Sequence, residues 1–239
     1  MERNVIALLE MLARNKAKAT FFVLGWVGER KQEMVRTIRQ EGHEIATHGY
    51  SHRLLTSLTP GEFEDDLTKS LAVLRSCISD PVVGFRAPSF TVTKGTLWAL
   101  DTLAKHGILY DSSVFPVGFH PDYGMPDSPR RPYKIREGLW ELPLSTVEIG
   151  SRRLPISGGG YFRIFPYAVT RMGIRRLNKE GLPVVFYLHP WEIDPAQPRV
   201  RLPWLKKFRH YCNLDKTISR LERLLSEFQF TTLRSLVKI

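Results

Sequence analysis

An α/β fold built on a parallel sheet, closed as a barrel or left open, is what this sequence predicts. Three observations predict it. Helix-type and strand-type segments alternate along almost the whole chain, as βα units require. The strand-type runs Thr20–Leu24 and Val184–Leu188 are apolar on both faces, as in a parallel sheet covered on both sides. The polar residues His48, His52, Arg86, Asp111 and His189 each fall just after a strand. Such strand ends converge on one face of a parallel sheet, where active sites lie.

The elements follow in order. Val5, Leu8, Leu9 and Leu12 lie at helical spacing behind Asn4, a candidate N-cap. After the first strand, a second helix is expected over about 29–41, stopped by Gly42. A short apolar piece then leads into the His48–His52 loop, where Gly49 and Ser51 disfavour a continued helix. Thr59-Pro60-Gly61-Glu62 combines a capping box with a proline at the first helical position. Phe63, Leu67, Leu71 and Leu74 are the buried stripe of that helix. Asp65 and Asp66 are read as part of its solvated face, without a catalytic role.

Further strands are expected at Val82–Phe85, Ile108–Tyr110 and Leu139–Leu144, with a helix around 94–106. The Pro-, Gly- and Asp-rich stretch 116–132 reads as a long excursion loop. Ser157–Phe162, with its triple glycine, is a backbone-permissive turn before a basic helix over about 167–180. Val184–Leu188 is the clearest buried strand, and a helix over about 214–228 precedes a closing strand at Thr231–Leu236. The whole chain is expected to be one domain, with an extension from about 190 to 239.

At 239 residues, with 43% hydrophobic and 11% aromatic content, the chain can build a substantial core, so disorder is not expected. No apolar run approaches the roughly 18 residues of a membrane span. Met1-Glu2-Arg3-Asn4 lacks the charged-then-apolar form of a signal peptide, and the cytoplasm is the expected compartment. Cys77 and Cys212 stand alone and read as buried thiols of a reducing compartment. The net charge of +11 favours an anionic partner, though no nucleic-acid motif accompanies it.

Two imidazoles four residues apart leave room for a carboxylate and a water around a transition metal. By itself that spacing is weak, and the pair could equally be solvated loop histidines. The ordered set carries more weight. Thr47-His48-Gly49-Tyr50-Ser51-His52, Arg86-Ala87-Pro88, Asp111 and Tyr187-Leu188-His189 resemble, in this order, the motifs of the NodB-homology polysaccharide deacetylases, carbohydrate esterase family 4. The look is that of an intracellular branch associated with exopolysaccharide export, in which Gly158–Arg163 and the segment after His189 are also familiar.

The resemblance implies a distorted (β/α) barrel with seven strands and a divalent metal, most simply zinc, held by His48, His52 and an aspartate. It implies that His189 protonates the departing amine, that Asp111 orients His189, and that Arg86 pairs with the carboxylate acting as base. Gly159, Gly160, Tyr161, Pro88 and Trp191 are the implied substrate contacts. One motif has no counterpart. The family's aspartate pair ends its first strand, and this chain opens on the helix that should follow that strand. As given it carries two of three metal ligands and no base, so the first strand is expected to be missing and turnover impaired. An upstream β-rich segment bearing such a pair would restore both.

The expected activity is removal of acetyl groups from N-acetylated sugars of a surface polysaccharide. The partner is then a glycan, either a polysaccharide or a lipid-linked oligosaccharide. The alternatives are an allantoinase-like cyclic amide or formamide hydrolase, and a non-catalytic glycan-binding relative. In the stretch 201–211, Trp204, Leu205, Phe208 and Tyr211 share one helical face flanked by Lys206, Lys207 and Arg209. That face is expected to pack against the barrel, the other reading being peripheral contact with an anionic membrane surface.

Overall fold

A computed structural model describes residues 1–118 and 123–237; the part of the expected excursion loop at 119–122 lies outside the described residues. Helix α1 (Glu2–Arg14) buries Val5, Leu8, Leu9 and Met11. Met1 takes the N-cap position expected of Asn4, because the Asn4 amide turns inward and donates to Asp194 Oδ2 at 3.3 Å. Strand β1 (Thr20–Val23) leads into α2 (Gly25–Arg30) and α3 (Gln32–Gln40), where one helix is expected. Lys31, at φ −137° and ψ 48°, separates the two, and Gly42 stops α3 in the left-handed region at φ +80°.

Strand β2 (Glu44–Thr47) precedes α4 (Pro60–Cys77), whose capping box forms as expected: Glu62 N donates to Thr59 Oγ1, and Thr59 N to Glu62 Oε2 at 2.8 Å. Then come β3 (Gly84–Phe85), α5 (Trp98–Lys105), β4 (Tyr110–Asp111), β5 (Tyr133–Arg136) and β6 (Leu139–Glu141). The hairpin β7 (Thr146–Ile149) and β8 (Arg152–Pro155) is followed by α6 (Gly159–Ile164), α7 (Tyr167–Lys179), α8 (Trp204–Tyr211) and α9 (Thr217–Glu227).

The chain divides into two compact units, Met1–Ala17 with Ser145–Phe230, and Lys18–Leu144 with the residues from Thr231 on. In the latter a six-stranded sheet has the order β1-β2-β3-β4-β6-β5, parallel except for β5. Its register pairs Thr47 with Phe85, Phe85 with Asp111, and Asp111 with Glu141. His48 and Arg86 therefore follow directly from neighbouring strand ends, with Asp111 at the last position of the next strand. On α4, Phe63, Leu67, Leu71 and Leu74 are fully buried, worth about 1.5–3 kcal/mol each in transfer free energy. The expected closing strand is a 3₁₀ turn, Leu233–Leu236. Thr20 Oγ1 accepts from Leu233 N at 2.8 Å and Glu44 Oε2 from Arg234 N at 3.1 Å. Side chains thus take amides that a ladder would have used.

The other unit packs Leu8, Met11, Ile174, Leu177, Leu221 and Leu224 into one core. Val184–Leu188, expected to be the clearest strand, belongs to no ladder among the described residues. Its apolar side chains do reach that core: Phe186 meets Phe162 edge-on at 5.0 Å, and Val185 N donates to Ser145 Oγ at 2.8 Å. Packing, without strand pairing, accounts for its hydrophobicity. The hairpin and the antiparallel β5 were not expected; Gly150, at φ +59°, allows the tight turn between β7 and β8. Cys77 is buried as expected, but Cys212 is only half-buried.

Helix α8 departs furthest from expectation. None of its residues is buried, and Trp204, Leu205 and Phe208 face outward instead of packing.

Candidate active site

The β2 end and the start of α4 together shape the histidine loop. His48 follows β2 directly, and its Nδ1 lies 2.7 Å from the Arg86 carbonyl oxygen. A carbonyl only accepts, so Nδ1 carries a proton, and in the neutral ring the lone pair is then on Nε2. The His52 ring stands edge-on to His48 with centroids 5.2 Å apart. His52 reaches that place through a left-handed backbone at φ +59°, a conformation costing a non-glycine residue of order 1–3 kcal/mol. Such strain persists where surrounding bonds over-determine it.

Asp66 supplies those bonds. Its Oδ2 accepts from Tyr50 N at 2.6 Å, and its Oδ1 accepts from Ser51 N and Ser51 Oγ. The reading of Asp66 as a solvated helix carboxylate is therefore corrected: it ties the turn between the two histidines to α4. Gly49 fits here because it sits at φ +74°, and a Cβ would come within 2.8 Å of Asp66 Oδ2. Asp66→Ala is expected to cost about 1–3 kcal/mol locally, from the donors left without an acceptor. Amide hydrogen exchange checks this: Tyr50 and Ser51 should exchange faster while the β2 amides keep their protection.

Arg86 is buried, and its guanidinium donates to Ser112 O at 2.8 Å and Ser112 Oγ at 2.7 Å while lying over the Phe22 ring. Pro88, an implied substrate contact, is buried, and its carbonyl accepts from Thr91 Oγ1. The residue exposed at that turn is Ser89.

Asp111 is fully buried and accepts from Ser113 Oγ. Its register partner Glu141 is also fully buried and accepts from Val114 N at 3.0 Å. The second oxygen of each carboxyl has no hydrogen-bond partner among the described residues. Burial pushes Asp111 up to about 6, against the opposing Ser113 hydrogen bond and Arg86 charge. Burial and the neighbouring Asp111 charge push Glu141 well above the ordinary carboxylate range. Two carboxyls so placed hold one proton between them. The sequence did not single out Glu141, because one glutamate on an apolar strand gives no signal until the register is known.

His189 lies in the other unit, with its side chain about half exposed. Glu192 Oε1 accepts from both its backbone N and its ring Nδ1, each at 2.9 Å. Glu192 thus holds the ring atom that the resemblance assigned to Asp111. Behind it, Arg163 Nε donates to Glu192 Oε2 at 2.8 Å, and both side chains are essentially buried. Burial would raise the Glu192 carboxyl, but the His189 hydrogen bond and the Arg163 charge outweigh it and hold it below its ordinary value. An ionised Glu192 accepts the Nδ1 proton, which in the neutral ring puts the lone pair on Nε2.

Gly159 is required for this arrangement, since a Cβ would sit 1.9 Å from the Glu192 carboxylate. Gly160 has open space around it, and Tyr161 stacks on Phe165. The Trp191 ring is covered by His210 at 4.2 Å and lies near-parallel to His189 at 5.8 Å. Glu192 and Arg163 escaped sequence reasoning because their pairing spans 29 residues and shows only in three dimensions.

The donor chemistry of His48 and His52 suits a borderline ion such as zinc. Among the described residues no third His, Cys, Asp or Glu joins them. The pair fits as two ligands of such an ion.

Residues 2–108 match the family model described as Polysaccharide deacetylase. Residues 112–238, more than half the chain, match the model described as Domain of unknown function (DUF3473), and the chain belongs to that family. A peptidoglycan deacetylase of Helicobacter pylori is 31% identical over 122 residues, covering 51% of this chain and 41% of that protein. The chain thus spans about two fifths of the length of that curated relative. Among solved structures, a family 4 carbohydrate esterase from Streptomyces lividans aligns with TM-score 0.54 at 16% identity, covering 94% of this chain and 82% of that one. The Puue allantoinase aligns at 0.66 and 13% identity, covering 98% and 70%. At these identities the likeness is one of fold, and the fold is the NodB-like (β/α) barrel expected from the motifs.

Proposed function

We propose that this protein is a deacetylase-type hydrolase that cleaves the acetamide C–N bond of N-acetylated sugars in a surface or exported polysaccharide. Its setting is the cytoplasm and its partner a polysaccharide or lipid-linked oligosaccharide. The observation carrying the proposal is the imidazole pair at the β2 end, with the His48 tautomer fixed by the Arg86 carbonyl. His48 and His52 would hold a divalent ion, zinc by donor type, which when bound polarises an amide carbonyl and acidifies water.

The chain's own groups supply the rest. Hydrolysis adds water oxygen to the acetyl carbon and releases the amine, which needs a proton as the C–N bond breaks. His189 is the group for that proton: with Nδ1–H held by Glu192, its Nε2 first takes a proton of the kind the attacking water loses and then gives it to the departing amine. Arg86, locked on Ser112, keeps a positive charge at the strand ends. The open backbone at Gly160 lets a sugar approach closely, with Tyr161 beside it. Two imidazoles without a third ligand among the described residues bind an ion weakly, so turnover in this form is impaired.

That same absence favours a second reading, a non-catalytic glycan-binding relative. Acetate release from an N-acetylglucosamine oligomer with added zinc decides between them. The deacetylase reading expects slow release that His48→Ala and His52→Ala abolish. It also expects each variant to weaken zinc binding at least about tenfold by calorimetry. Oligomer binding without acetate would leave only the glycan-binding reading.

A further inference from the structure

We propose that α8 and the chain leading into it form a docking surface for an anionic phospholipid membrane. The helix sits inside out. Its C-terminal end is held: His210 stacks on Trp191 at 4.2 Å, its carbonyl accepts from Arg163, and Tyr211 Oη accepts from Val200 N at 2.9 Å. The large apolar side chains point away from the protein. Trp204 is 79% exposed, Leu205 54% and Phe208 52%, and Val200 just upstream is 58% exposed. A helix that serves only to cover a core turns these side chains inward. Three exposed large side chains on two turns make a contiguous apolar patch, which on a soluble surface marks an interaction site.

Charge selects the occupant. Residues 199–211 contain Arg199, Arg201, Lys206, Lys207 and Arg209 and no Asp or Glu. An open cleft of about 550 Å³ beside the helix is lined by Arg199, Val200, Arg201, Leu202 and Lys207. Its three cations suit a phosphate headgroup, while tryptophan and phenylalanine suit the boundary between headgroups and acyl chains. No helix among the described residues is long and apolar enough to cross a membrane, so the contact is peripheral. The proposal goes beyond the deacetylase reading and does not depend on it, because lipid binding is read without turnover.

The test is co-sedimentation of the 239-residue chain with vesicles of phosphatidylcholine alone and of phosphatidylcholine with about 30% phosphatidylglycerol. Binding to the anionic vesicles is expected to be at least about tenfold stronger, and to weaken as salt rises from about 0.05 to about 0.5 M. Trp204→Ser with Phe208→Ser, and separately Lys206→Glu with Lys207→Glu, should each reduce it about tenfold or more while leaving the circular dichroism spectrum unchanged. Because all four side chains are exposed, the variants should fold. Equal binding to both vesicle types, or variants that bind like the parent, would overturn the proposal. So would a concentration-dependent dimer abolished by Trp204→Ser with Phe208→Ser, which would show that a second copy covers the helix.

Discussion

Arg163→Met is expected to cost about 3–5 kcal/mol of folding stability, the range for breaking a buried ion pair from one side. The side chains of Arg163 and Glu192 are only 2% and 1% exposed. Removing the guanidinium leaves the Glu192 carboxylate buried without its cation. It also takes a donor from the carbonyls of His210 and Cys212, which Arg163 reaches at 2.9 and 3.2 Å. Uncharged replacement of both partners behaves differently, because no uncompensated charge remains. The double variant Arg163→Met with Glu192→Gln should therefore recover much of the loss. Urea denaturation of the single and double variants measures both quantities. A single variant within about 1 kcal/mol of the parent would mean that Glu192 is neutral or hydrated, against its buried, ion-paired surroundings. Because Glu192 also holds the His189 ring, the double variant should regain stability without regaining the fixed Nδ1–H tautomer, which nitrogen NMR reads directly.

Asp111→Asn should make the protein relatively more stable at neutral pH. Burial raises the folded-state value of Asp111 to about 6 from an unfolded value near 3.8. Between those values the native state binds a proton that the unfolded state has released, so stability falls as pH rises through this window. Below the window both states are protonated, and above it both are ionised. A shift of about two units corresponds to roughly 3 kcal/mol. Asparagine does not titrate, so the stability gap between variant and parent should move in the variant's favour by about that amount from pH 4 to pH 7. Glu141, held protonated in the folded state well above its ordinary range, ionises on unfolding, so it adds to the same fall, and Glu141→Gln should likewise flatten the curve. Denaturation midpoints at a series of pH values give the answer. A gap independent of pH would show that Asp111 is hydrated or otherwise compensated. Keeping such a carboxyl in the core costs stability, as expected where charge is retained for chemistry.

The sequence was most informative where local rules act alone. The Thr59–Glu62 capping box, the Gly42 stop and the apolar stripe of α4 depend on neighbours within one or two turns, and each appears as expected. The polar residues after strands were legible for the same reason: His48 and Arg86 follow from where β2 and β3 end. Local rules failed at segments whose partners are far away in the chain. Val184–Leu188 has the composition of a buried strand, and burial was real, but pairing depends on a neighbour that composition does not reveal. Thr231–Leu236 lost its expected strand to hydrogen bonds that the Leu233 and Arg234 amides donate to Thr20 and Glu44.

Helix α8 shows the limit most plainly. Its amphipathic spacing is the same whether the aromatic face turns inward or outward, and only the anchoring of His210 and Tyr211 decides the direction. By itself, then, the sequence determined the alternation of helix and strand, the imidazole pair, and the set of polar residues at strand ends, all set by short-range periodicity and turn chemistry. Tertiary structure alone decided which carboxylates serve them. Asp66 on the histidine loop, Glu141 beside Asp111 and Glu192 on His189 are each chosen by distance in space and by exclusion of water, and neither is written in local order along the chain.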